Sequence, residues 1–195
     1  MTQATTRFNT IEEYLEYDNG ADFHFELVDG ILVEMPPERP INRKIASYLF
    51  ATFLRLGLSP NLLAIGTQIA ITSRKVTARE PDFVVLTEDC AIALDGTQSD
   101  IILPEMPAPA LVVEVVSPGN PGSQNYDRDY VEKPREYAAR GIPEFWQVDP
   151  SRAVVNVLNL ENGSYQARSF RGKERIISVE FPDLELTADQ ILQAG

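Results

Sequence analysis

The stretch Ala110-Leu-Val-Val-Glu-Val-Val116 constrains the fold more than any other part of the chain. A run of β-branched and aliphatic residues with no polar alternation leaves no face for water, so a strand here is covered on both sides. The expectation that follows is an α/β (α+β) protein: a mixed central sheet flanked by helices on its faces. One residue breaks the run. Period-two alternation puts Glu114 on the same face as Val112 and Val116. An ionised carboxylate in that company costs several kcal/mol unless a cation, a metal or dense hydrogen bonding compensates it. A structural salt bridge or exposed strand end and a functional acid both remain open at this position.

The flanking sequence supplies the other elements. Thr10 stands three residues before Glu13 in capping-box spacing, ahead of a short helix with Ile11, Tyr14 and Leu15 on one face, ending near Asp18-Asn19-Gly20. Asp29-Gly30 between Glu26-Leu27-Val28 and Ile31-Leu32-Val33 predicts a hairpin over Phe23 to Met35, pairing Val28 with Ile31 and Glu26 with Val33. Ile45, Leu49, Phe53 and Leu56 recur at helical spacing within Ile41 to Leu56, a helix stopped by Gly57. Strands are expected at Leu62 to Thr72, Phe83 to Leu86, Glu144 to Val148, Ala153 to Leu160, Tyr165 to Phe170 and near Ile176 to Val179. A helix over Asp127 to Arg140 closes on Gly141, with Pro134 interrupting it, and a short helix at Asp189 to Gln193 ends the chain.

At 195 residues with 44% hydrophobic and 24% charged residues, the chain is expected to form a single domain over 1–195 with an ordinary packed core. One cysteine, Cys90, excludes an intrachain disulfide and a cysteine-rich zinc site. One histidine, His24, weakens every histidine-based metal site. No apolar stretch approaches the roughly 18 residues of a membrane span, so no membrane association and a cytoplasmic location are expected. The net charge of −12 argues against a protein that wraps a phosphate backbone electrostatically. Most of that charge lies between Ile11 and Glu38, where nine acids meet no lysine or arginine, a segment expected to face away from any polyanion. Two short stretches are basic: Arg74, Lys75 and Arg79, then Arg168, Arg171, Lys173 and Arg175. Each stretch by itself reads first as ordinary solvated loop or edge-strand charge, with polyanion binding as the alternative.

Glu114 has company. Asp82 follows Pro81 and opens the strand Phe83-Val-Val-Leu86, and Glu26 sits in the predicted hairpin among apolar neighbours. Three carboxylates meeting from separate strands would make a hard, oxygen-rich site suited to Mg²⁺ or Mn²⁺. Lys133 is the nearest downstream cation, with Asp129 at i−4 and Tyr137 at i+4 if the segment is one helix, and it reads also as a surface lysine paired to Asp129 or Glu132. Pro134 biases it out of the α region, toward a kink or a helix start. No Walker or dinucleotide-binding glycine pattern is present, and Ser117 has no evident base.

Glu26-Leu-Val-Asp-Gly30, Pro81-Asp82-Phe-Val-Val, Glu114-Val-Val-Ser-Pro118, and Lys133 followed by Glu136-Tyr-Ala-Ala-Arg-Gly-Ile-Pro-Glu-Phe-Trp-Gln-Val-Asp-Pro150 together resemble the Uma-two family of restriction-endonuclease-like proteins, in the PD-(D/E)xK nuclease superfamily. The resemblance spans roughly Ile11 to Leu160. It implies Asp82 and Glu114 as metal ligands, the Val115 backbone carbonyl as a further ligand, and Glu26 as an auxiliary acid. The superfamily lysine stands two residues after the second acid, where this chain has Val116. The resemblance implies that Lys133 replaces it from the next helix.

The expected activity is therefore divalent-metal-dependent endonucleolytic hydrolysis of DNA phosphodiester bonds, with Glu26, Asp82, Glu114 and Lys133 catalytic. Arg74, Lys75, Arg79, Arg171 and Lys173 would carry phosphate contacts, and a homodimer is expected. The rival is a catalytically silent domain of the same fold that binds nucleic acid or a protein. A two-carboxylate glycosidase would need aromatic sugar platforms, which one tryptophan in a strand does not provide.

Overall fold

The computed structural model describes residues 6–17, 25–35, 37–71, 75–97 and 99–194. Helix α1 (Ile11–Leu15) is capped by Thr10, whose side chain accepts from the Glu13 N–H. Strands β1 (Phe25–Val28) and β2 (Ile31–Glu34) form the expected hairpin, with Glu26 opposite Val33 and Val28 opposite Ile31. Asp29 and Gly30 both take positive φ, as a type I′ turn demands. Helix α2 (Pro40–Arg55) buries Ile45, Ala46, Leu49 and Phe53. Where a single strand was expected over 62–72, the chain makes β3 (Leu63–Ala64), turns through Gly66 at φ +87°, and continues as β4 (Gln68–Ile71) in a different sheet. Strand β5 (Thr77–Arg79) follows, then β6 (Phe83–Val85), helix α3 (Glu88–Asp95) and β7 (Ile101–Ile102).

The central strand β8 (Leu111–Val115) is buried along its whole length. After it come helix α4 (Gln124–Asp127), a π-helical turn over Arg128–Glu132, and helix α5 (Lys133–Arg140), which ends at Gly141 with φ +79°. Strands β9 (Glu144–Asp149), β10 (Val154–Glu161) and β11 (Ser164–Phe170) form a meander, and α6 (Ala188–Gln193) closes the chain. The strand expected near Ile176 to Val179 is absent. Only an isolated bridge, Arg175 to Thr187, forms there, while Ile177 and Val179 are exposed and the segment is tied instead to the buried Glu144 carboxylate.

The architecture is the expected mixed sheet flanked by helices, with one difference: the strands divide between two sheets. One runs β11-β10-β9-β8-β6-β3, with β8 and β9 parallel and the other pairs antiparallel; the other runs β2-β1-β5-β4-β7. Alternation along β8 sends Leu111, Val113 and Val115 to the core under α2 and α6. Val112 goes to the opposite core, with Tyr137 of α5, Cys90 of α3, and Ile69 and Ile71 of the second sheet. A third core, Leu27, Ala70, Ala78 and Ile101, packs on the far side of the second sheet, under Phe8. Among the described residues no helix is long and apolar enough to cross a membrane.

Candidate active site

The two sheets meet where the chain leaves β5 and enters β6. Arg79 ends β5 in one sheet, and three residues later Asp82 leads into β6 in the other. Asp82 Oδ2 accepts from the Val115 N–H at 2.7 Å, which fixes this carboxylate against the end of β8. The β6–β8 register pairs Phe83 with Val113, and continuing it sets Pro81 across from Val115. In a strand the N–H and C=O of one residue point to the same side, and proline has no N–H. The Val115 carbonyl therefore receives no ladder bond from that strand and is left at the rim, beside Asp82.

Glu114 is buried, and both its oxygens are engaged: Lys133 Nζ donates to Oε2 at 2.6 Å and the Tyr137 hydroxyl donates to Oε1 at 2.6 Å. Lys133 Nζ also lies 3.3 Å from Glu26 Oε1. Glu26 is held from its other oxygen by Arg79 Nη1 at 2.9 Å, and Arg79 in turn makes a two-pronged contact with Glu136, Nε to Oε2 at 2.8 Å and Nη2 to Oε1 at 3.0 Å. Lys133 reaches the site because Pro134 does not displace it. Its φ/ψ of −56°/−45° are helical, and its N–H bonds the Arg128 carbonyl five residues back. The π turn absorbs the proline: Pro134 lacks the N–H that would serve the Tyr130 carbonyl, and the wider turn replaces the missing i→i−4 bond.

Charge in this group is unbalanced in a specific way. Burial pushes Glu114 up to about 7 against the pull of Lys133, with Asp82 and Glu26 adding repulsion. Burial likewise raises Asp82 to about 6; the Val115 N–H and Lys133 oppose it and Glu38 reinforces it. Glu26 behaves oppositely: burial is outweighed by Lys133 and Arg79, which hold its carboxyl below the usual range. Burial would strip the proton from Lys133, but Glu114 and Glu26 keep the ammonium charged well above neutral pH. Asp82 and Glu114 are thus the two carboxylates short of positive charge.

All five side chains and backbone groups, Glu26, Asp82, Glu114, Val115 and Lys133, line one pocket of about 390 Å³. A sequence model of a family described as "Uma2: Putative restriction endonuclease" matches residues 11–189. The chain belongs to the Uma2 family. Its fold is that of a crystal structure described as a "putative nuclease belonging to DUF820" from Anabaena variabilis, with a TM-score of 0.72 and 16% identity over 95% of this chain and 98% of the other. No curated protein matches. The family makes this chain a nuclease-like protein.

The donor set of this Uma2 protein suits a hard divalent cation in part. Asp82, Glu114 and the Val115 carbonyl offer oxygen only, and the buried Asn42 Oδ1 on the same pocket wall has no hydrogen-bond donor. Two carboxylates short of positive charge and an unserved carbonyl match a Mg²⁺ or Mn²⁺ site completed by water or substrate oxygens. A cage of three acidic, histidine or cysteine side chains is not formed among the described residues. Glu26 differs from Asp82 and Glu114 in being paired with two cations, Arg79 at 2.9 Å and Lys133 at 3.3 Å.

The basic residues divide differently from their order in sequence. Arg79 is not a surface cation: at 1% exposure its guanidinium is enclosed by Glu26, Glu136 and Glu132, so the expectation that it contacts phosphate is corrected. Arg74 lies outside the described residues. Lys75, Arg171 and Lys173 are exposed but do not line the pocket, and the Arg171 guanidinium is engaged by the Arg152 and Ala153 carbonyls. The acidic N-terminal segment does not face away, since Glu26 and Glu38 line the pocket. Sequence reasoning placed Asp129 and Tyr137 one turn to either side of Lys133 without giving them a role, and missed Arg128 and Asn42. Tyr137, four residues after Lys133, was within reach of helical periodicity; Arg128 and Asn42 depended on the π turn and on the placement of α2.

Proposed function

We propose that this Uma2 protein is a divalent-metal-dependent endonuclease that hydrolyses DNA phosphodiester bonds, with Mg²⁺ or Mn²⁺ held by Asp82, Glu114 and the Val115 carbonyl. The observation that carries the reading is the meeting of two charge-deficient carboxylates with a buried, permanently charged lysine 2.6 Å from one of them. When bound, such a cation makes water more acidic and offsets charge on phosphoryl oxygens. The chain's own part is positioning and charge. Tyr137 and Lys133 fix both oxygens of Glu114, and the Val115 N–H fixes Asp82. Lys133 keeps its proton, so it acts as an electrostatic stabiliser of charge on the phosphoryl group rather than as a base. Glu26, held by Arg79, anchors the lysine from its other side and so sets where its charge sits.

The competing reading, a binding domain without catalysis, is favoured by one observation: both Glu114 oxygens already take hydrogen bonds from within the chain. Supercoiled plasmid incubated with Mg²⁺ or Mn²⁺ distinguishes the two. Hydrolysis predicts conversion to the nicked or linear form that is lost on chelation and falls at least about 100-fold in Asp82→Ala and Glu114→Ala. No conversion, or conversion unchanged in both variants, leaves only binding. Direct appearance of linear product would accord with two copies acting together, as in the proposed homodimer, and sedimentation checks that state.

A further inference from the structure

Two cations of the pocket have no role so far, Arg39 and Arg128; Arg39 is exposed and Arg128 is enclosed. Arg128 lines the same cavity as Asp82, Glu114 and Lys133, and its side chain is 15% exposed, enclosed but reachable. The π turn is what aims it there. Arg128 and Lys133 are five residues apart, and in an α-helix that interval covers about 1.4 turns and sends the two side chains to different faces. Here the Lys133 N–H closes on the Arg128 carbonyl, so the turn is wider, the five-residue interval comes closer to one full turn, and both cations line the pocket.

The guanidinium is locked from behind. Nε donates to Asp129 Oδ1 at 2.8 Å, and Nη2 donates to Ser117 Oγ at 2.9 Å and to Asp129 Oδ2 at 3.3 Å. Asp129 is itself pinned, accepting from the Ser117 N–H at 2.9 Å, while its backbone carbonyl accepts from Gln147 Nε2 at 2.7 Å. Of the five N–H donors of an arginine, those on Nη1 have no partner among the described residues. A planar cation tied down through Nε and Nη2, with the Nη1 donors left over on a residue that lines the pocket, is an arrangement that can receive a phosphoryl oxygen.

We infer that Arg128 is a substrate-binding catalytic residue whose Nη1 donors grip a non-bridging oxygen of the scissile phosphodiester, with Asp129 and Ser117 as the residues that position it. This deepens the nuclease reading and rests on it for the word scissile; the phosphodiester contact itself does not. Six acids line the pocket, Glu26, Glu38, Glu80, Asp82, Glu114 and Asp129, against three cations, Arg39, Arg128 and Lys133. An enclosed cation beside Lys133 offsets part of that excess for a phosphodiester, itself an anion.

The test uses the full chain in two arms. In the first, single-turnover cleavage of a duplex oligonucleotide is followed in Mn²⁺ for wild type, Arg128→Ala, Arg128→Lys and Ser117→Ala. In the second, the dinucleotide d(TpT) is titrated into each protein in Ca²⁺ and binding is followed by NMR chemical shifts. Removal of one donor to a transition-state oxyanion lowers rates by roughly 100- to 1,000-fold, and that loss is expected in Arg128→Ala, with partial recovery on adding guanidinium ion. Arg128→Lys, which keeps the charge beside Asp129 and guards against misfolding, is expected to lose about 10-fold or more, because a point charge cannot serve Asp129, Ser117 and a phosphate together. Ser117→Ala is expected to lose less than about 10-fold. Binding of d(TpT) should weaken at least about 10-fold in Arg128→Ala. Cleavage by Arg128→Ala and Arg128→Lys within about 3-fold of wild type overturns the assignment. If wild type does not cleave yet binds d(TpT) through Arg128, the contact stands and hydrolysis falls. If it neither cleaves nor binds, both fall.

Discussion

Replacing Arg79 by alanine separates the structure's account of this residue from the one its neighbours in sequence suggest. The guanidinium makes four contacts under 3.3 Å, with Glu26, Glu132 and Glu136, from a position 1% exposed. Glu132 is 43% exposed, so its share is small, on the order of a few tenths of a kcal/mol. Glu26 is different. It is 2% exposed, and without Arg79 the ion pair left to it among the described residues is Lys133 at 3.3 Å, with Arg128 acting from farther off. Removing one partner of a buried ion pair costs about 3–5 kcal/mol. For a chain of this size each kcal/mol moves the melting temperature by about 2–4 °C, so Arg79→Ala is expected to lower Tm by about 6–20 °C at pH 7. The pH dependence supplies a second reading. Glu26 has a depressed carboxyl pKa in the folded protein, so its contribution is present above its ordinary value of 4.5 and is lost as pH falls through the folded value. The gap between wild type and variant should therefore narrow below about pH 4.5. Thermal unfolding by circular dichroism measures both. A Tm within about 2 °C of wild type, with a loss of salt-sensitive DNA affinity instead, would refute the buried-network account.

Two further outcomes follow. Asp82 and Glu114 have raised folded-state values, about 6 and about 7, so the stability they contribute is complete below their ordinary carboxylate range and is lost as pH rises through those values. In metal-free protein Tm should accordingly rise as pH is lowered from about 8 to about 6, with a flatter profile in Glu114→Gln; a fall over that window contradicts the charge deficit. Gly30→Ala should cost more than about 1 kcal/mol by urea denaturation, because φ is +77° and the added Cβ would overlap the Phe8 carbonyl oxygen; unchanged stability would show that the turn relaxes.

The local elements were legible because each rests on short-range chemistry. The Asp29-Gly30 turn, the Thr10 cap, the amphipathic spacing of α2 and the positive φ at Gly141 all follow from residues within one or two turns of each other. Glu114 announced itself as an acid in an apolar strand. The same local logic misjudged Pro134. Read alone, a proline after Lys133 bends the chain away, but packing of Tyr137 beneath Glu114 holds the helix in place and a π turn takes up the difference. The short strands β5 and β7 and the helix α3 carry too few residues for periodicity to show; Thr87, which accepts from the Cys90 N–H, was the one cap signal for α3.

By itself the sequence singled out Glu26, Asp82, Glu114 and Lys133 and left Arg128 unmarked. Hard oxygen donors without histidine or cysteine partners, set into strands that must be covered on both faces, point to carboxylates at the centre of the site whatever the topology. Only tertiary structure decided which charges cancel. Arg79 and Lys75 are four residues apart, yet one is walled in by three carboxylates and the other is at the surface, because Arg79 ends β5 beside the Glu26 strand β1 while Lys75 precedes β5. Pairing energy depends on distance and on how much water is excluded, and neither is a property of spacing along the chain.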